Sequence, residues 1–116
     1  MEWFEKGVED IELTPTLTVD GDAFDTDPLT EIVIKVFWHK TFEPLWTYTL
    51  TGGDITKEAP TTDGQLRFVV SSGTTASGRT GEYFYQIHTY EPDIDFPGGQ
   101  RERSFTGWVF GLKHSV

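Results

Sequence analysis

Cysteine is absent from this 116-residue chain. A disulfide framework, a thiolate metal site and a cysteine nucleophile are thereby excluded, and the composition fits a reducing compartment. Helical periodicity is missing as well: no stretch of ten or more residues spaces its apolar positions at three and four. A phosphate-cradling glycine loop therefore has no helix to open. No apolar run approaches the length that spans a bilayer, so no membrane partner is expected. The acidic opening, Met1 to Lys6, has no apolar segment behind it, which predicts a chain without a secretion signal, soluble and intracellular when made. Basic residues are also few. Nine Lys and Arg face nineteen Asp and Glu, a net charge of −10, and with no basic stripe to displace counterions, direct nucleic-acid binding is not expected.

What the chain does have is aromatic residues, at 15% within a modest hydrophobic content of 36%. Few but large apolar side chains suit two sheets that must be bridged across a core. The length is that of one domain, able to bury roughly two thirds of its unfolded surface without staples. The charge is unevenly distributed. Residues 1–31 carry ten acids against Lys6, a net of −9, while residues 32–116 are close to neutral. The chain therefore divides into an acidic N-terminal arm, residues 1–10, and a single β domain, residues 11–116.

Strand signals run along the whole of that domain. Ile11, Leu13, Leu17 and Val19 alternate on either side of Pro15, which cannot donate to a ladder and marks an edge or a bulge. Residues 20–28 read as loop by composition. Thr30 to Trp38 is the strongest strand, with Ile32, Ile34, Val36 and Trp38 on one face and Val33, Lys35 and Phe37 on the other. Leu45–Leu50, Ile55–Glu58 and Leu66–Ser71 follow, separated by glycine, proline and Asp-Gly turns. Residues 72–78 are small and flexible. Tyr83, Tyr85 and Ile87 then share one face of a strand that runs to Tyr90. Residues 91–99 form a long hairpin loop. Arg101–Leu112 is the last strand, with Gly107 and Gly111 as bulge or close-approach points. The pattern predicts an all-β, immunoglobulin-like Greek-key β-sandwich of about six to eight antiparallel strands.

Residues that could carry chemistry form no convincing constellation. His39, His88 and His114 are far apart and none shows ligand spacing. Asp20, Asp22, Asp25 and Asp27 invite a calcium site, but Phe24 and Asp25 stand where an EF-hand loop needs a ligand and a glycine. Nineteen acids make chance carboxylate pairs certain, so such pairs carry no glycosidase signal. Ser71, Ser72 and Ser77 sit in no nucleophile elbow. No enzyme activity, metal or other cofactor is expected.

The order of several segments is familiar. Asp20-Gly21 with Asp25 leads into Ile32–Val36. Asp63–Ser71 precedes the small-residue run, then come Gly81–Ile87 and a last strand carrying Phe105-Thr106-Gly107. Over residues 11–113 this order resembles the small immunoglobulin-like domains of tailed-bacteriophage virions, above all the N-terminal domain of baseplate upper proteins. The chain departs from them in its longer, proline-bearing 91–99 loop. The resemblance implies a non-enzymatic structural or assembly part of a capsid, neck, tail or baseplate. Such a part is made in the host cytoplasm and resides in the virion, and its partners are other virion proteins and further copies of itself. It also implies that Tyr83 is a corner tyrosine, that Tyr85 replaces the second core cysteine and that Trp46 is the core tryptophan. Each of these could equally be an ordinary core aromatic.

On this reading the contact residues are Trp3, Phe4 and Glu5 of the arm, Asp20, Asp22 and Asp25 of the acidic loop, and Asp93, Asp95 and Phe96 of the 91–99 loop. Two alternatives remain. Trp3, Trp38, Trp46 and Trp108, with Tyr48 and Tyr90, could stack sugars in a carbohydrate-binding module. The acidic front could serve a host-directed inhibitor or DNA mimic.

Overall fold

Period-two alternation survives folding almost residue for residue. Ile32, Ile34 and Val36 are buried, as are Tyr83, Tyr85, Ile87 and Thr89, while their neighbours are partly covered or exposed, apart from Phe37, which is buried on the opposite face. In a computed structural model, which describes residues 1–39 and 41–114, the chain is mostly β. Its elements are β1 (Trp3–Glu5), β2 (Ile11–Leu13), β3 (Thr18–Val19), β4 (Asp22–Ala23), β5 (Glu31–Trp38), β6 (Trp46–Thr49), β7 (Ile55–Lys57), β8 (Leu66–Val70), α1 (Ser72–Ala76), β9 (Gly81–Pro92) and β10 (Gln100–Lys113). A five-stranded sheet of order β1-β10-β9-β5-β6 lies against a three-stranded sheet of order β2-β8-β7, and β3-β4 is a separate hairpin.

One core joins the two larger sheets. Phe68 of β8 reaches Tyr85 of β9 edge-on, with ring centroids 5.2 Å apart, and touches Tyr48 of β6 at 5.4 Å. Along the inner face of the larger sheet the aromatic rings stack: Trp46 on Tyr83 at 5.2 Å, Tyr83 on Phe110 at 5.3 Å, and Tyr85 on Trp108 at 5.4 Å. Offset stacking of this kind adds to area burial. Tyr83 is fully buried, and its hydroxyl donates to the carbonyl of Arg79 at 2.6 Å. Burial raises the pKa of Tyr83 and Tyr85 above the ordinary phenol range; at Tyr83 the bond to Arg79 and its nearby charge offset part of the rise.

Several details depart from the sequence pattern. The 72–78 run, expected to be flexible and helix-free, contains the single turn α1. The hydroxyl of Ser71 caps it by accepting from the Thr74 N–H at 3.2 Å, and the Asp10 carboxylate accepts from the Ser72 N–H at 2.8 Å. Five residues are too short to show a helical period. The 11–19 strand is divided at Pro15 into β2 and β3. The loop expected over 20–28 begins with a tight hairpin, its turn formed by Asp20 (φ 53°) and Gly21 (φ 84°). Two successive positive φ values define the turn that best matches strand twist. β9 and β10 remain paired to Pro92 and Gln100, so the loop between them is shorter than expected. The sheet is not wholly antiparallel, because β1 runs parallel to β10. The Gly107 bulge is present as a register shift between Phe105 and Trp108, with Gly107 at φ 114°.

At the start of β5, Glu31 fastens the β6–β7 turn. Its carboxylate accepts from the Ile32 N–H at 2.9 Å, the Thr51 N–H at 3.1 Å and the Thr51 hydroxyl. Partial burial raises its pKa, but these hydrogen bonds outweigh burial and the net shift is downward.

Two predictions follow from this framework. Tyr83→Phe keeps the ring stack but strands the Arg79 carbonyl, and should lower unfolding free energy in denaturant titration by about 1–2 kcal/mol. The depressed pKa of Glu31 contributes stability above its ordinary value of 4.5 that is lost as pH falls through the folded value. Glu31→Gln should therefore be less stable than the parent at neutral pH, by under ~1 kcal/mol because solvent screens this edge. The difference between the two proteins should shrink as pH falls below 4.5 and through the depressed folded value.

Candidate contact surfaces

The molecule is about twice as long as it is wide, 52 × 29 × 27 Å. Strand register decides which loops share an end. Glu31 pairs with Tyr90, and the Thr30 N–H donates to the Tyr90 carbonyl at 2.9 Å. The β9–β10 turn, the start of β5 and residues 24–30 therefore lie together. The Thr26 N–H reaches the Thr61 carbonyl at 3.1 Å, and the ring of Phe24 meets that of Phe105 at 5.5 Å. At the opposite end, Trp38 pairs with Tyr83 near the start of β9. The last turn before β9, α1 and residues 41–45 meet there.

Asp20, Asp22 and Asp25 are exposed on and beside the β3–β4 hairpin. Asp25 is used locally, its carboxylate accepting from the Asp27 N–H at 3.0 Å. Among the described residues no group of three or more His, Asp or Glu is placed to hold a metal ion. Asp93, Asp95 and Phe96 lie at the same end, on the β9–β10 turn. That turn is tightly organised. The Asp93 carboxylate accepts from the Asp95 N–H at 3.0 Å, the Asp93 N–H donates to Gly99, and the Gly99 N–H donates to Phe96. The guanidinium of Arg101 lies 5.1 Å over the Phe96 ring. Between the two aspartates stands Ile94, 94% exposed. Ile94 is not among the contact residues expected from the sequence. The available signal was a branched apolar residue set between two carboxylates, outside any strand.

Trp3, Phe4 and Glu5 are far from those loops. They form β1, an edge strand of the larger sheet, so residues 3–5 of the expected arm belong to the body. Phe4 turns inward and meets Phe110 edge-on at 6.5 Å. The ring of Trp3 lies directly over Gly111, where a Cβ would collide with it, and Trp3 itself remains 46% exposed. The Gly111 N–H donates to Glu2, the Lys6 N–H to Lys113 and the Gly7 N–H to the Thr75 hydroxyl.

The end that β1 runs toward also carries a cleft of about 370 Å³, lined by Trp38, Thr41, Leu45, Trp46, Ser77, Gly78 and Arg79. Its parts are fixed from behind. The indole N–H of Trp38 donates to Thr80 at 3.2 Å, the Arg79 guanidinium lies 4.8 Å over the Trp38 ring, and Trp46 backs onto Tyr83. Phe42, fully exposed, stands between lining residues Thr41 and Leu45 in the chain. Phe42, Leu45 and Arg79 escaped the sequence reading because the cleft joins segments some 35 residues apart.

Compared with protein-family models, curated proteins and solved structures, the chain matches none. Its surfaces must therefore be read from their own chemistry. They comprise an acidic apolar tip at one end, an aromatic cleft with a cation at the other, and an edge strand sealed by Trp3.

The contact over Gly111 can be checked by a double-mutant cycle. Gly111→Ala should cost about 1–2 kcal/mol of unfolding free energy. In a Trp3→Ala background the same change should cost much less; equal costs in both backgrounds would show that the ring is not what the new methyl meets.

Proposed function

We propose that this chain is a contact domain without chemistry of its own, an immunoglobulin-like Greek-key β-sandwich that serves as a structural or assembly part of a tailed-bacteriophage virion. Two features support the fold assignment. With β2, β5, β6, β7, β8, β9 and β10 taken as strands B, C, C′, D, E, F and G, the sheets correspond to B-E-D and G-F-C-C′. The Tyr83 hydroxyl also bonds the backbone four residues upstream, as a corner tyrosine at the start of strand F does. Trp46 then falls on C′ rather than C, one strand beyond the usual core tryptophan. The virion assignment rests on the order of segments from Asp20 to Gly107 and on the resemblance they carry.

The observation that carries the contact reading is Ile94. A branched apolar side chain held almost wholly in water, on a turn closed by its own backbone hydrogen bonds, suits a surface whose partner is absent. A second reading has one specific observation in its favour: Trp38 and Trp46 line a cleft where a sugar ring could stack. Titrating the protein with a glycan panel while following tryptophan fluorescence separates the two.

The test of the first reading is made on particles. Mass spectrometry of purified virions should find the protein at a fixed ratio to the major structural proteins. Ile94→Asp should reduce its incorporation about tenfold or more, the effect of ~1.4 kcal/mol at a contact. Absence from purified particles would overturn the proposal.

A further inference from the structure

The tip and the cleft lie at opposite ends of one long axis. β9 starts beside the cleft and ends at the tip, and its twelve residues at ~3.3 Å each separate the two by roughly 40 Å. Neither surface can reach the other within one molecule. Their chemistries nevertheless match. The tip is an apolar knob, Ile94 with Phe96 beside it, flanked by the carboxylates of Asp93 and Asp95. The cleft is apolar in its walls, Trp38, Trp46 and Leu45, and cationic at its rim through Arg79. Among the described residues, no ion pair includes Arg79. Asp95 is exposed. A volume of about 370 Å³ lies near the lower end of the range for ligand pockets, the scale of a side chain or two rather than of a domain face.

Both halves are also organised in advance. The tip is closed by backbone hydrogen bonds and by Arg101 on Phe96. The cleft is backed by the Trp46–Tyr83 stack and by the bond from Tyr83 to the Arg79 carbonyl, which fixes the backbone from which the guanidinium projects. Little ordering cost remains to be met on contact.

We infer that copies of this chain associate head to tail, the Asp93–Phe96 tip of one seated in the Trp38–Trp46–Arg79 cleft of the next. This rests on the reading of the chain as a contact domain and names one of its partners. A second copy is favoured over an unrelated partner because the chain itself supplies both halves, with opposite charge at the point of contact in a protein whose overall charge opposes self-contact. Joining two different patches is a heterologous contact. It does not close on a pair, so it propagates into a ring or a filament. A single turn in a single cleft buries less than the ~1,000 Å² expected of a stable interface. Association is therefore weak in dilute solution and grows with concentration.

The experiment uses variants that each lose one half. Ile94→Asp keeps the cleft and spoils the tip. Arg79→Glu keeps the tip and spoils the cleft. Ser77→Trp fills the cleft without altering its charge, and should behave as Arg79→Glu does. By sedimentation equilibrium, the parent should show a weight-average mass that rises with concentration above 13.2 kDa. Each variant alone should stay monomeric. An equimolar mixture of Ile94→Asp with either cleft variant should approach twice the monomer mass and stop there, because each pair uses up the intact tip and the intact cleft. A parent that stays monomeric at every concentration overturns the inference, as does a mixture that stays monomeric while the parent assembles. A monomeric parent that is still found in purified particles would retire head-to-tail association and leave the virion contact role standing.

Discussion

The Tyr83 ring is the point on which both ends of this molecule depend. It lies flat between Trp46 and Phe110, and Phe110 in turn meets Phe4, so a line of aromatic contacts runs from β6 to the edge strand β1. Its hydroxyl cannot be buried without a partner, and the Arg79 carbonyl supplies one. That bond pins the last turn before β9. It thereby sets where Gly78 and Arg79 stand against Trp46, and so the shape of the cleft. Gly78 is held there for a steric reason: a Cβ would come within 3.0 Å of the Tyr83 hydroxyl and 3.1 Å of Trp46. A core residue thus decides the geometry of a surface feature, because the polar group at the end of its ring must reach the backbone.

From that anchor, β9 and β10 extend as a paired ribbon of twelve and fourteen residues to the opposite tip. The single irregularity in their pairing is the bulge at Gly107, which adds local twist without ending the ladder. A continuous ladder of this length makes the tip an extension of the sheet rather than a free loop. Ile94 can therefore remain in water and in place at the same time, its position fixed by the strands beneath it and not by packing of its own side chain.

What the sequence revealed follows from how far each signal reaches. β5 and β9 were legible because alternation over eight or more residues is a local property, and Tyr83, Tyr85 and Ile87 are buried as their spacing required. The β3–β4 hairpin was missed because two residues on each side show no alternation, although Asp20-Gly21 is a recognised turn pair. α1 was missed because a five-residue turn has no period. β1 was read as an arm because its partner, Gly111 to Lys113, lies more than a hundred residues away and pairs in parallel. Nothing near Trp3 in the chain announces that a glycine has been left clear beneath its ring. The cleft is the least legible feature, since its floor and rim come from separate segments joined only by long-range contacts, Tyr83 to Arg79, Trp38 to Thr80 and Arg79 over Trp38. Of the nine contact residues read from the chain, Asp93, Asp95 and Phe96 share a tip and Asp20, Asp22 and Asp25 share that end, while Trp3, Phe4 and Glu5 belong to a sheet edge directed the other way.

The fold also divides the charge that the sequence presents as one block. Of the ten acids in residues 1–31, Asp20, Asp22, Asp25 and Asp27 go to the tip end, while Glu9 and Asp10 go to the cleft end, where Asp10 caps the Ser72 N–H. Glu31 is committed to the β6–β7 turn. A net of −9 within 31 residues suggests a single acidic arm able to meet a single basic surface. Distributed over an axis of 52 Å, the same charges lie several screening lengths apart at physiological salt, about 8 Å each, and act as two separate groups. What remains local is the sign of the charge at each end, where Asp93 and Asp95 flank Ile94 in the chain and Arg79 lines the cleft. On the proposed contact reading, specificity at these ends is set by a few side chains at contact distance, while the overall charge governs how strongly whole molecules repel before they meet.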